Sequence, residues 1–318
     1  MKAHCLWLLL PVVTTFAQDL AKLPPAERAK AEAQNTALQA MLQSAPKLPL
    51  RETAIKGWAP GLVSWVAADR NGLIYLLQRT EWTDPVVVLD GKGAIVRSWG
   101  KGMFTTPHAI RIDPQGHVWT TDAASSMVYE FSPEGKKLLE IDVGGQPSPR
   151  TAFCSTTDIA FAPNGQLFIA DGYRNARILE YTPQGKKVRE WGSAGTGPGQ
   201  FRLPHSIQID ENGVIYVADR ENGRIQRFTL EGKFLGEWTT YGKTFGLKLV
   251  NEAIWLTSIP RGPNGTPGWL LKLDRSTGAL LGYVDTTATH GMDVMADGDV
   301  ISASPSANKP PLRYRVGK

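Results

Sequence analysis

The sequence predicts an all-β chain, a six-bladed β-propeller preceded by an export signal and a short helix. Three observations carry this reading. From about residue 58, short runs rich in Val, Ile, Tyr and Trp alternate with Asp-Gly, Asn-Gly and Pro-x-Gly turns. Four segments share one phase: LVSWVAADRNGLIYLLQR, PHAIRIDPQGHVWTTDAASSMVYEFSPEGK, TTDIAFAPNGQLFIADGYRNARILEYTPQGK and PHSIQIDENGVIYVADRENGRIQRFTLEGK, with a fifth, THGMDVMADGDVISASPS, near the C-terminus. Equivalent positions fall at Ser64, His108, Thr157, His205 and His290, at steps of 44, 49, 48 and 85 residues. The last step is about double, so a degenerate repeat around LKLVNEAIWLTSIP fills the gap. Six repeats of roughly 45 residues each suit four-stranded blades. One such sheet cannot bury both faces alone, so the blades must pack into a ring.

The elements follow in order. Residues 1–17, MKAHCLWLLLPVVTTFA, carry Lys2, an apolar run and small residues Thr15 and Ala17, the pattern of a cleaved signal peptide. An exported protein, secreted or periplasmic, is therefore expected. Loss of Cys5 with the signal would leave Cys154 alone, with no intramolecular disulfide. Residues 18–57 form a leader and linker. Within them PPAERAKAEAQNTALQAMLQS predicts one exposed helix, with Pro25 in its first turn. The propeller is expected over 58–318.

Composition narrows the function. Of 318 residues, 32 are Gly and 22 Pro, 42% are apolar and 20% charged, which describes a turn-rich globular chain with a real core. The net charge of +5 is spread along the chain, and without a basic stripe it does not predict nucleic-acid binding. No later apolar run is long enough to span a membrane. The motifs G-x-S-x-G, P-loop and H-E-x-x-H are absent.

The histidines are the chemical signal. Of His4, His108, His117, His205 and His290, three share one repeat phase, in TTPHAI, RLPHSI and ATHGMD. Residues at the start of the innermost strands point to one end of the central channel, so these three can converge. Three imidazoles with an open fourth position describe a catalytic zinc site. The competing reading takes Pro-His as a turn dipeptide at blade entry. His117, on a turn in PQGHVW, is expected at the surface.

The segments PHSIQID and ADRENGRIQRF resemble NHL repeats. Over about residues 58–305 the chain resembles, more specifically, the peptidyl-α-hydroxyglycine α-amidating lyase domain of peptidylglycine α-amidating monooxygenases. The resemblance implies zinc on His108, His205 and His290. It implies a general base at Tyr173 in ADGYRNARI, a carboxylate-binding Arg79 in IYLLQRTEW, and a further site residue at Arg220 in ADRENGR. It also implies a structural calcium on the backbone carbonyls of Val66 and Ile110. The family's calcium-binding Asp, however, is Gly291 here, so calcium is expected to be weak or absent unless Asp293 substitutes. The family's disulfide positions hold Cys154 opposite Arg174, and Tyr216 opposite Arg227.

The expected function is thus a zinc-dependent carbon–nitrogen lyase. It would cleave a peptidyl or N-acyl α-hydroxyglycine to an amide and glyoxylate, as a monomer, on substrate made elsewhere, since no copper monooxygenase domain precedes the propeller. Two alternatives stand beside it. One is a non-catalytic NHL propeller that binds a protein or glycan. The other is a lactonase-type hydrolase, against which the carboxylate-poor phase positions argue.

Overall fold

A computed structural model describes residues 20–56, 61–144, 153, 155–239, 241–261, 268–306 and 309–316. The signal-like segment and Cys154 lie outside these residues. Six four-stranded antiparallel sheets form the blades. In chain order their innermost strands are Leu62–Ala68, Pro107–Ile112, Asp158–Phe161, Pro204–Ile209, Lys243–Val250 and Gly291–Val294. The fifth blade contains the degenerate repeat.

The strand burial explains why these sequences read as they do. The second strands Val118–Asp122, Leu167–Asp171 and Ile215–Asp219 are buried at every residue, being clasped between neighbouring blades on both faces. The outermost strand Phe234–Thr239 instead alternates between partly buried and exposed, because only one face of it is covered. One apolar cluster fills each of the six junctions between neighbouring blades. In the first, second and fourth blades the turn between first and second strands uses an Asp whose carboxylate accepts two backbone N–H groups. Asp210, for example, takes those of Asn212 and Val214, and Gly213 supplies the required φ of 79°.

The ring closes through the N-terminal side. Leu50–Ala54, read from sequence as linker, is the outer strand of the sixth sheet and pairs antiparallel with Leu312–Val316. The propeller therefore begins before residue 58. The helix spans Pro25–Ser44 with Pro in its first turn, as expected, but it is not a free exposed element. Leu38 and Leu42 are buried in the cluster between the fourth and fifth blades.

Candidate metal centre and active-site mouth

Each histidine sits at or just before the entry of an inner strand. For His108 and His205 the preceding backbone is pinned by an Asp from the second strand, whereas the His290 N–H donates to the Ala303 carbonyl. The Asp122 carboxylate accepts the N–H groups of Thr105 and Thr106 just ahead of Pro107–His108. Asp219 accepts Arg202 N–H at 2.7 Å just ahead of His205. Leu203 lies between them with φ 76°, and Arg174 beside Tyr173 has φ 79°. Left-handed conformations are costly for such residues and cluster at functional sites.

His108, His205 and His290 come together, one ligand atom from each lying within 4.8 Å of the others. All three are buried, at 0%, 0% and 7% exposure. They belong to the second, fourth and sixth blades. The intervening blades supply the acceptors for their other nitrogens. His108 Nδ1 is 2.6 Å from the Thr157 carbonyl, His205 Nδ1 2.7 Å from that of Phe245, and His290 Nδ1 2.8 Å from that of Ser64. A carbonyl only accepts, so each Nδ1 carries the proton and each Nε2 keeps its lone pair. Imidazole and carbonyl thus alternate around the ring with threefold repetition. Ser64 and Thr157 already occupied the histidine phase in the sequence. Only their backbone role was hidden.

Burial pushes all three imidazoles well below the ordinary histidine value, His290 to about 3, and neighbouring cations including Arg220 add to the shift. The group is neutral and could hold a metal ion. The Tyr173 hydroxyl caps it, 3.0 Å from His108 Nε2 and 3.2 Å from His205 Nε2. Burial raises the Tyr173 pKa, while Arg220 and Arg79 pull the other way and Arg220 hydrogen bonds to it. The phenol therefore holds its proton at neutral pH and donates it toward the imidazoles.

Arg79 and Arg220 share this mouth. Arg79 Nε donates to the Pro107 carbonyl at 3.2 Å and Nη2 to Ser64 Oγ at 3.2 Å, with the guanidinium over Phe153. Arg220 lies over the Phe245 ring, its Nε 2.8 Å from Glu221 Oε1. Lys243, which sequence reasoning missed, reaches Glu221 Oε2 at 3.4 Å. Buried cations dominate this group, with Glu221 as the acid shared by Arg220 and Lys243.

Beneath the imidazoles the axis is filled by residues that the sequence did not flag. Trp65 is fully buried, and its ring centroid lies 5.6–6.3 Å from those of the three histidines. The Arg111 guanidinium lies over Trp65. It pairs with Asp158 through two bonds, Nε to Oδ1 at 2.9 Å and Nη2 to Oδ2 at 2.6 Å, and also reaches Ser206 Oγ and the Leu247 carbonyl.

The residues present do not fit the calcium that the resemblance implies. Val66 and Ile110 lie within strands, opposite Leu76 and Thr120. Asp293 is engaged by Lys248 at 2.7 Å and by the Ala68 N–H at 3.0 Å. A side chain at 291 would run into Trp65.

Two further positions are settled. His117 lies at the surface, its side chain 35% exposed and its Nδ1 2.7 Å from Glu130 Oε1 beside Asp113. The Asp113 oxygens already serve its turn and Trp119 Nε1, so this group is a structural contact. Tyr216 and Arg227, where the family's second disulfide would fall, face each other across paired strands. Among the described residues no helix is long and apolar enough to cross a membrane.

Comparison with known proteins agrees with this architecture. A family model described as a 6-bladed beta-propeller matches residues 150–240. The mouse peptidyl-glycine alpha-amidating monooxygenase is 41% identical over 206 residues, covering 55% of this chain and 21% of its own length. The chain thus spans about a fifth of that relative. A probable peptidyl-alpha-hydroxyglycine alpha-amidating lyase of Caenorhabditis elegans is 26% identical over 276 residues, covering 75% of this chain and 78% of the relative. Among solved structures, a streptogramin B lyase superposes with a TM-score of 0.60 at 15% identity, over 84% of this chain and 98% of the other. That likeness concerns the fold. The chain is a six-bladed β-propeller with relatives named as α-hydroxyglycine amidating lyases.

Proposed function

We propose that the protein is a zinc-dependent lyase that cleaves the C–N bond of a peptidyl or N-acyl α-hydroxyglycine, releasing an amide and glyoxylate. The observation that carries this reading is the buried set of three neutral imidazoles, each oriented by a carbonyl and together capped by Tyr173. His108, His205 and His290 would hold the ion through Nε2. Bound zinc would supply Lewis acidity toward the substrate oxygens.

The remaining chemistry belongs to the chain. Arg79 and Arg220 hold the substrate carboxylate and orient the α-carbon, a task suited to guanidinium forks. Tyr173, as phenolate, takes the proton of the α-hydroxyl. The electrons of that O–H bond form the new carbonyl of glyoxylate as the C–N bond breaks, and the leaving nitrogen receives the proton as it becomes the amide. Burial raises the Tyr173 pKa, and Arg220 and Arg79 only partly oppose it, so the added positive charge of a bound metal would be needed to bring the phenol to the phenolate that the reaction requires.

The test is direct. Purified protein loaded with zinc and given N-benzoyl-α-hydroxyglycine should release glyoxylate and benzamide in equal amounts. Release no faster than in buffer alone would sink the proposal. Export and a monomeric state are part of the same reading, to be checked by fractionation and light scattering.

A further inference from the structure

We propose that the N-terminal helix forms part of the active site, with Gln34 as a positioning residue for Arg220. This rests on the lyase reading for the role of Arg220 but not for the geometry. Gln34 is buried, at 8% exposure, in a helix whose other polar side chains mostly face solvent. Its Nε2 donates to the Asn222 carbonyl at 3.1 Å, and its Oε1 accepts from Arg261 Nη1 at 2.6 Å. Arg261 Nη2 in turn donates to the Glu221 carbonyl. Asn35 locks the same arginine in place. Its Nδ2 donates to the Arg261 carbonyl at 2.6 Å, and its Oδ1 accepts the Arg261 N–H at 2.7 Å.

The object being held is the single helical turn Arg220–Asn222. So short a turn leaves its carbonyls without partners inside the element. Its internal bond is Gly223 N–H to the Arg220 carbonyl at 3.1 Å. The helix and the Arg261 it holds supply donor partners for the next two carbonyls, Arg261 Nη2 for Glu221 and Gln34 Nε2 for Asn222. The turn carries Arg220, which reaches Tyr173, and Glu221, which ties Arg220 to Lys243. The fit is close, since a Cβ on Gly223 would meet both Arg261 and Gln34 at 3.3 Å. Orientation of Arg220 thus depends on a side chain 186 residues earlier in the chain.

The test uses the zinc-loaded full chain and three variants. Gln34→Met keeps size and helix propensity but loses both bonds. It should speed hydrogen exchange of the amides of residues 220–223 about tenfold and raise KM for N-benzoyl-α-hydroxyglycine roughly three- to tenfold, as expected for the loss of two hydrogen bonds. Zinc content should stay at the parental level. Gln34→Glu keeps the acceptor for Arg261 and should recover part of both effects. Glu27→Ala breaks the pair between Glu27 and Arg202, 2.7 Å apart in the native protein, and leaves Gln34 in place. It should match the parent in exchange and KM.

Parental exchange and KM in Gln34→Met would overturn the proposal. So would an equal effect from Glu27→Ala, because helix docking in general would then be responsible. If the parent itself makes no glyoxylate, the lyase reading falls, and the exchange comparison still decides whether Gln34 holds the turn.

Discussion

Gly291 and Trp65 stand in direct contact between the neighbouring inner strands of the sixth and first blades: a Cβ on Gly291 would lie 2.5 Å from the Trp65 Cα. The indole fills space that any larger residue at 291 would need. Gly291→Ala should therefore destabilise the fold by about 1–3 kcal/mol, the usual range for overpacking a tight core. With the axis filled by Trp65 and the Arg111–Asp158 pair, millimolar calcium should leave the melting temperature unchanged. A calcium-induced rise of several degrees, lost in an Asp293→Asn variant, would show that the neighbouring acid binds the ion after all.

His205→Ala should abolish zinc binding at equimolar metal and with it all turnover. The blades are held by six separate apolar clusters, so the far-ultraviolet spectrum should persist. Full metal content by elemental analysis in this variant would place the ion elsewhere.

Tyr173→Phe should lower kcat by about 10²–10⁴, the typical contribution of a general base, with a much smaller change in KM. Parental turnover in this variant would remove Tyr173 from the mechanism while leaving the metal group intact.

Arg79→Ala should raise KM more than it lowers kcat, because the guanidinium binds and orients the carboxylate. Arg79→Lys should restore charge but not the fork, and recover only part of the loss. Equal KM values in parent and Arg79→Ala would reassign carboxylate binding to Arg220 and Lys243.

The metal-free protein should lose stability as pH falls below about 6.5, the ordinary histidine value. The folded-state imidazoles lie well below that value, His290 near 3. Between the two values the unfolded chain binds protons that the folded chain refuses, so acid favours unfolding. Above pH 7 both states are neutral and the effect vanishes. Urea midpoints measured from pH 7.5 to 5.5 should fall, and His290→Gln should flatten the slope by about a third, one of three such groups having been removed. A pH-independent midpoint in the parent would contradict the buried neutral state.

The sequence displayed what repeats and concealed what does not. PHSIQID and ADRENGRIQRF announce a blade because tight turns such as Asp210–Val214 draw on an Asp or Asn side chain and a Gly. The histidines stood out because they shared that phase. Leu50–Ala54 was illegible for the opposite reason. LRETA is a mostly exposed outer strand, and its partner lies more than 250 residues away, as the contact between Glu52 and Tyr314 shows with its separation of 262. Gln34 and Asn35 looked like solvent-facing helix residues in an Ala- and Gln-rich run. Nothing local reveals that Arg261 and Asn222 will meet them. Trp65 and Arg111 read as ordinary strand residues, since the axis they fill exists only once all the blades are assembled.

Ring closure by Leu50–Ala54 also orders events on the ribosome. Leu50–Ala54 must wait for Leu312–Val316, made more than 250 residues later, before the sixth sheet is complete. His290 precedes that same sheet. A nascent chain bearing only the second and fourth blades presents two imidazoles, which bind a metal far more weakly than three. On the zinc-dependent reading, selective metal capture by the three imidazoles would thus wait until the sixth sheet has formed and the circle has shut.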